Sequence, residues 1–347
     1  MASEPHSQVL VEETSNVRIL TLNRPKQLNA LSLNMITRLL QLFLAYEEDP
    51  SVKLVILKGQ GRAFCAGGDV SAVVRDIRLG KWRRSADFMS LQYTLNYVMA
   101  TYSKAQISIL NGIVMGGGAG VCVHGRFRIA TENTVFAMPE TALGLFPDVG
   151  ASYFLSRLPG FFGEYAGLTG ARLDGAEMLA CGLATHFVPS TRLTALGADL
   201  CRVGSSDPVT FASTILDAYT QHPHPKQKSA CHRLDVIDKC FSRRTVEEII
   251  SALIREGRLQ GLGQCLIREN RMVSHVMKGD ISKDFVEGGR AILINKDRNP
   301  KWEPRRLEDM KDNMVDKYFK RVEEEEGWED LKLPPRKHLP ASAIAKL

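Results

Sequence analysis

Four glycines lie close together in the stretch NGIVMGGGAGVCVHGR, residues 111–126. Gly116, Gly117, Gly118 and Gly120 follow a short apolar run, at a point where a strand would enter a helix. Glycine inside a regular element costs about 0.5–1 kcal/mol relative to alanine, because it loses more conformational freedom on folding. This density of glycines predicts that some group approaches the backbone closely. A phosphate, a dinucleotide and a reacting carbonyl oxygen are the groups to consider.

Two of these three groups need glycine patterns that the sequence lacks. A dinucleotide site needs G-x-G-x-x-G, and Val121 and Val123 stand at the third glycine position of the two registers. A phosphate loop needs a lysine after its last glycine, and a serine hydrolase needs G-x-S-x-G; neither is present. The carbonyl oxygen remains, and it predicts a second backbone donor elsewhere in the chain.

The stretch AFCAGGDV, residues 63–70, supplies that second donor. It also follows a predicted strand and precedes a predicted helix. Two such glycine loops can direct two amides at one oxygen, which is the geometry of an oxyanion hole. Cys65 lies beside this loop and is expected to be a small buried thiol rather than a nucleophile. His124 and His186 have no partner at metal-ligand spacing, so the sequence predicts no metal site.

The elements that would carry these loops alternate between strands and helices. VRILTL at 17–22, KLVILKG at 53–59 and QISIL at 106–110 are expected to be strands. A helix is predicted after Ser32, which is a suitable N-cap. Capping boxes are predicted at 174–177 and 245–248. This alternation favours an α/β fold.

Three parts of the sequence resemble the crotonase superfamily of acyl-CoA enzymes. They are Arg24-Pro25 with Asn29-Ala30-Leu31, residues 63–69, and residues 111–118. Within that superfamily, residues 136–160 and 168–188 resemble the 3-hydroxyisobutyryl-CoA hydrolases closely, and parts of 284–304 resemble their C-terminal region. The resemblance implies an α/β fold, with a crotonase-type ββα spiral core and a helical C-terminal region.

The same resemblance implies a site and a reaction. The amides of Gly68 and Gly117 would hold the oxygen of an acyl-CoA thioester. Glu140 would either attack the thioester or activate a water, and Asp148 would bind the substrate hydroxyl or assist the leaving thiolate. Gly120 occupies the position where hydratases of the superfamily carry a catalytic glutamate. The implied reaction is therefore hydrolysis of 3-hydroxyisobutyryl-CoA in valine breakdown, with no cofactor and no metal.

Two departures from the family pattern keep other functions open. Gln92 stands where the hydrolases usually have glutamate, before Tyr93-Thr94-Leu95-Asn96. A segment is also expected to be missing near residues 254–257, where one helical pattern runs directly into the next. The alternatives are an impaired acyl-CoA-binding or interaction protein and, within the same fold, an enoyl-CoA hydratase or isomerase.

Composition and the chain ends add expectations about partners and location. The chain has 347 residues, 44% of them hydrophobic, and a net charge of +6 from interleaved charges. Neither nucleic acid nor a membrane is an expected partner, and the oligomeric state is open. The expected organisation is a catalytic core at 1–204, a mainly helical region at 205–344 and a targeting tripeptide at 345–347. That tripeptide, Ala345-Lys346-Leu347, resembles a peroxisomal address and predicts binding to the peroxisomal import receptor.

Overall fold

The computed structural model describes residues 7–204, 207–242, 254–306, 309, 312–322, 328–336 and 339. The strands are β1 (Val9–Thr14), β2 (Val17–Leu22), β3 (Leu54–Gly59), β4 (Ala63–Cys65), β5 (Ala105–Leu110), β6 (Ile113–Met115), β7 (Phe127–Ala130), β8 (Val135–Ala137), β9 (Leu173–Asp174) and β10 (His186–Phe187). The helices are α1 (Leu33–Glu48), α2 (Val70–Arg78), α3 (Trp82–Ala100), α4 (Gly117–Gly120), α5 (Ala151–Phe154), α6 (Phe162–Thr169), α7 (Gly175–Ala180), α8 (Leu193–Leu200), α9 (Pro208–Tyr219), α10 (Leu234–Phe241), α11 (Leu262–Lys278), α12 (Asp284–Gly289) and α13 (Asp312–Phe319).

The chain forms two compact units that alternate along the sequence. The sheet unit contains Met1–Gly68, Val98–Ala137 and Arg172–Leu234, and the helical unit contains Asp69–Tyr97, Met138–Ala171 and Asp235–Leu347. The expected boundary between residues 204 and 205 divides the chain once, whereas each of these units is made of three separate segments. That boundary stays a prediction. The capping box expected at 245–248 and the tripeptide at 345–347 lie outside the described residues.

A six-stranded sheet forms the centre of the sheet unit, in the order β1-β2-β3-β5-β7-β10. β1 is antiparallel to β2, and the other neighbours are parallel. Side chains from β3, β5 and β7 pack with Leu196, Leu200, Ala212 and Leu216 of α8 and α9 in one buried apolar cluster. Burying such side chains stabilises the fold by about 1.5–3 kcal/mol each. The three strands that the sequence predicted are confirmed.

A second sheet in the same unit carries the glycine loops. Its order is β4-β6-β8-β9, with β4, β6 and β8 parallel and β9 antiparallel. Local signals set the neighbouring helices as predicted. Ser32 Oγ accepts from Met35 N at 3.2 Å at the start of α1, and Asp174 and Glu177 form the capping box of α7. The α/β class is confirmed.

The helical unit contains α11, in which twelve of the seventeen residues are buried. Leu262, Cys265, Leu266, Met272 and Val273 are among its buried residues. The helix ends at Gly279, whose φ of +70° is the left-handed conformation that glycine adopts without strain. Among the described residues, no helix is long and apolar enough to span a membrane.

Candidate functional site

The two glycine loops lie side by side in the sheet unit. β4 and β6 are parallel neighbours, with Ala63 opposite Ile113, so their carboxyl ends lie at the same edge of the sheet. A Cβ placed on Gly67 would lie 3.4 Å from Met115 O and 3.8 Å from Gly117 N. The structure therefore brings together the two loops that the sequence predicted to cooperate.

Packing within the chain explains part of the glycine content. A Cβ on Gly118 would lie 2.1 Å from Cys65 O, so no other residue fits there. Gly67 and Gly116 have φ values of +116° and +50°, where side chains other than glycine are strained. At Gly118 the group that approaches the backbone is the carbonyl of the neighbouring strand.

The amides of Gly68 and Gly117 are free to bind an external oxygen. Gly117 is the first residue of α4, where no earlier helical carbonyl can accept its N–H, and the amides of Ala119 and Gly120 donate to Gly116 O. At the other loop, Leu31 N donates to Gly67 O at 2.8 Å. In the described part of the chain, neither the Gly68 nor the Gly117 amide has a hydrogen-bond acceptor.

Glu140 is a buried carboxyl in the helical unit. It begins the short 3-10 turn Glu140–Leu143 and is 5% exposed. Its Oε2 is buried and has no hydrogen-bond partner among the described residues. Burial and the nearby charge of Asp148 raise the pKa of Glu140 well above its ordinary value. An unpartnered buried carboxylate of this kind is a strong base that is available to a ligand.

Close backbone packing against α12 holds the turn that carries Glu140. A Cβ on Gly144 would lie 2.6 Å from the backbone of Asp284, and a Cβ on Gly288 would lie 2.5 Å from the backbone of Leu143. Both glycines permit a contact that larger residues would block. The stretch around Asp284 and Gly288, which resembled the hydrolases, thus serves to seat the Glu140 turn.

Asp148 lies in the same unit and is held by Tyr93. The Tyr93 hydroxyl donates to Asp148 Oδ2 at 2.8 Å, and both side chains are buried. Burial raises the pKa of Asp148 to about 6, although the hydrogen bond from Tyr93 acts in the opposite direction. Burial also raises the pKa of Tyr93 well above its usual range, so Tyr93 remains a neutral donor.

Glu269 on α11 is a third buried carboxyl of the helical unit. It accepts hydrogen bonds from Gly150 N at 2.6 Å, from Ser152 N at 3.0 Å and from Ser152 Oγ at 2.5 Å. Burial raises its pKa to about 7. Sequence reasoning assigned no role to Glu269 or Tyr93. The sequence did contain a signal for Glu269. Leu266 and Met272 lie three residues from it, and Cys265 and Val273 lie four residues from it, so Glu269 falls on the apolar face of the helix.

The remaining candidate residues are placed as follows. Gln92 is 2% exposed, and its buried Oε1 has no partner among the described residues. Cys65 is fully buried, which raises its pKa to about 12 and makes it the inert thiol that was expected. His186 Nδ1 lies 2.8 Å from Thr185 Oγ1. Within the described ranges, no three metal-ligating side chains are grouped to hold an ion.

Paired glycine turns after parallel strands, together with buried carboxyls on a helical unit, define an α/β protein of the crotonase class. The family model described as enoyl-CoA hydratase/isomerase matches residues 17–258 and 250–319. The chain belongs to that family.

Individual relatives give a finer comparison. The chain is 76% identical to "3-hydroxyisobutyryl-CoA hydrolase 1" of Arabidopsis thaliana, over 100% of this chain and 99% of that protein. It is 75% identical to "Probable 3-hydroxyisobutyryl-CoA hydrolase 3" of the same plant, over 99% of each. Among solved structures, a carnitinyl-CoA dehydratase from Mycobacterium thermoresistibile is 32% identical with a TM-score of 0.85, covering 95% of this chain and 100% of that chain.

Two of these comparisons bear on the segment expected to be missing near residues 254–257. The alignment with the first Arabidopsis relative spans 380 positions, which is 33 more than the 347 residues here. The two matches to the family model overlap at residues 250–258. The shortened segment itself stays a prediction. The residues after this point are firmly seated, since Arg157 donates to Gly257 O at 3.0 Å and Arg258 to Gly160 O at 2.7 Å.

Proposed function

We propose that this protein hydrolyses an acyl-CoA thioester, and that its substrate is 3-hydroxyisobutyryl-CoA, an intermediate of valine breakdown. The observation that carries the proposal is Glu140, a buried carboxyl with one unpartnered oxygen and a raised pKa. Burying such a group without a partner is unfavourable for folding, and groups of this kind are concentrated at functional sites. The names of the Arabidopsis relatives support the choice of substrate.

In the proposed reaction, Glu140 acts in its ionised form by one of two routes. As a nucleophile, its carboxylate oxygen bonds to the thioester carbon, the carbon–sulfur bond breaks, and the sulfur leaves with the electron pair and takes up a proton. Water then cleaves the resulting anhydride and restores Glu140. As a general base, Glu140 takes a proton from a water that attacks the same carbon directly. Both routes yield the free acid and CoA.

The other residues have supporting roles in this proposal. The free amides of Gly68 and Gly117 form the oxyanion hole and bind the thioester oxygen as it becomes negatively charged. Asp148 binds the hydroxyl of the acyl group or assists the leaving thiolate, and Tyr93 orients it. Gly120 provides no second carboxylate for adding water to a double bond, which favours hydrolysis over hydration.

Thiol release from a panel of acyl-CoAs, measured beside acyl-CoA binding, tests the proposal. Glu140→Gln should lower kcat by about 100- to 10,000-fold and leave CoA binding intact, because the amide keeps the shape but is neither base nor nucleophile. Glu164→Gln is a matched control, since Glu164 is buried in the same unit but lies 3.4 Å from Arg258. It should keep its turnover.

The outcomes separate the alternatives. Wild-type protein that binds acyl-CoA and releases no thiol would be an acyl-CoA-binding protein. Loss of an enoyl-CoA without thiol release would indicate a hydratase or isomerase. Normal turnover in Glu140→Gln would remove Glu140 from the mechanism.

We also propose that the protein acts in the peroxisome. The support is the tripeptide Ala345-Lys346-Leu347, a conservative variant of the S-K-L address. A fluorescent protein fused before residue 1 should enter peroxisomes, whereas the same fusion with Leu347→Ala should not. A cytosolic signal from both fusions would exclude this address.

A further inference from the structure

Glu269 is a buried acid that the proposed mechanism does not use. It lies on the apolar face of α11 and is completely buried. An ionisable group in that position is costly unless hydrogen bonds satisfy it. Its two oxygens receive three hydrogen bonds, all from Gly150 and Ser152. The side chain therefore connects α11 to one short segment that lies 117 to 119 residues earlier in the chain.

That segment is a strained turn that begins at Asp148. Ala151 N donates to Asp148 O at 2.9 Å, which closes the turn. Val149 has a φ of +57° and Gly150 a φ of +85°, so two consecutive residues are left-handed. A β-branched residue in this conformation is strained and persists only when its surroundings impose it. The carboxylate of Glu269 provides that constraint, because it binds the amides on the far side of Val149.

The turn fixes where the Asp148 side chain lies. Asp148 keeps its hydrogen bond to Tyr93 only while its backbone stays in place. The backbone is anchored two residues later by Glu269. We propose that Glu269 is a positioning residue for thioester hydrolysis, which holds the 148–152 turn so that Asp148 is aligned for the reaction; this inference rests on the proposed function.

The charge of Glu269 also acts on its neighbours. The titratable groups that face it are Asp148, Glu140, Tyr93 and Cys265. Burial is the main cause of the raised pKa of Glu140, and the negative charges of Asp148 and Glu269 raise that pKa further. Removing the charge should therefore lower that pKa, and the acid limb of the pH–rate profile, where Glu140 becomes ionised, should move to lower pH. A shift of this limb reports the charge of Glu269. A fall in kcat with KM unchanged reports its hold on the 148–152 turn, which a side chain that only stabilised the fold would not produce.

Two variants separate the reach of Glu269 from its charge. Glu269→Gln keeps the length of the side chain but loses the charge and one acceptor. Its kcat should fall about 10- to 100-fold while KM stays within about twofold of the wild-type value. The acid limb of its pH–rate profile should shift to lower pH. Glu269→Asp keeps the charge but is one methylene shorter; kcat should fall while the acid limb stays in place. If either variant fails to fold, Ser152→Ala tests the same contact. It removes only the hydroxyl donor and should show a smaller loss of kcat.

The control is again Glu164→Gln, whose turnover and pH profile should match those of the wild type. Normal kcat in Glu269→Gln, with an active wild type, would overturn the positioning role whether or not the acid limb moves, and would leave the proposed function standing. A wild type that releases no thiol from any acyl-CoA would overturn the proposed function, and this inference with it.

Discussion

Replacing Tyr93 with phenylalanine removes one hydroxyl, which donates to Asp148 Oδ2 at 2.8 Å inside the helical unit. A hydrogen bond to a charged group contributes about 1.5–3 kcal/mol. Because the bond acts mainly on the ionised carboxylate, its loss should raise the pKa of Asp148 from about 6 to about 7 or above. The acid limb of any activity that needs ionised Asp148 should move upward by the same amount.

The effect of this variant on stability should depend on pH. The folded pKa of Asp148 is about 6, against an ordinary value of 3.8. Ionising Asp148 in the folded state therefore costs roughly 3 kcal/mol more than in the unfolded chain. Its contribution to stability is complete below pH 4 and is lost as the pH rises through 6. In Tyr93→Phe this loss should continue to higher pH, which makes the variant about 1–2 kcal/mol worse at pH 8 than at pH 5.

Urea unfolding of wild type and variant at pH 5, 6, 7 and 8 measures this difference. Tyr219→Phe is the matched control, because the Tyr219 hydroxyl also donates to a carboxylate, Asp199 Oδ2 at 2.6 Å, but at a half-buried position. Solvent screening should keep its effect small at every pH. An equal loss at pH 5 and pH 8 in Tyr93→Phe would refute the electrostatic role of Tyr93.

Three further predictions concern the glycines and the segment that is expected to be missing. Gly118→Ala should destabilise the protein severely, since its Cβ would lie 2.1 Å from Cys65 O. Gly197→Ala in α8 is the control, because its Cβ would meet nothing within 4 Å, and it should raise the free energy of unfolding by about 0.5–1 kcal/mol. Thermal melting of the two variants measures the difference. Gly117→Val should lower kcat by about 100- to 1,000-fold, because the valine side chain would lie where the acyl group passes and would tilt the donor amide. Unchanged kcat would mean that Gly117 serves packing alone. A segment is expected to be missing near residues 254–257, and inserting the corresponding segment of a full-length relative after Leu253 should lower KM more than it raises kcat and should raise the melting temperature. No change in the three quantities would mean that the segment is dispensable.

The glycine loops could be predicted because their signal is local. Consecutive glycines after apolar runs are visible in the sequence, and the parallel pairing of β4 with β6 follows from the alternation of strands and helices. The structure confirms that the loops adjoin, and it corrects the reason for one glycine, since Gly118 is required by the carbonyl of Cys65. β1 was not predicted. Its second half, residues 12–14, is exposed, so it lacks the continuous apolar run that identified β2, β3 and β5.

The contacts that hold the carboxyls could not be predicted, because they join residues far apart in sequence. Tyr93 and Asp148 are 55 residues apart, and Glu269 lies 119 residues from Gly150. Propensity and periodicity act over one or two turns of chain and carry no information about such pairs. An acid on the apolar face of α11 was the one local sign, because a helix that packs on a core normally places acids on its outer side.

Burial raises the pKa values of these carboxyls and so makes them stronger bases. It also lowers the stability of the folded protein. Burial raises the pKa of Asp148 to about 6 and of Glu269 to about 7, and that of Glu140 rises well above its usual range. Each carboxyl therefore destabilises the folded protein as it ionises. A charged Glu140 in this setting is a stronger base than one in water, because the free energy lost on burial returns when it binds a proton or an electrophilic carbon. Lowering the pKa of Glu140 by exposing it to water should thus stabilise the fold at neutral pH and slow the hydrolysis together.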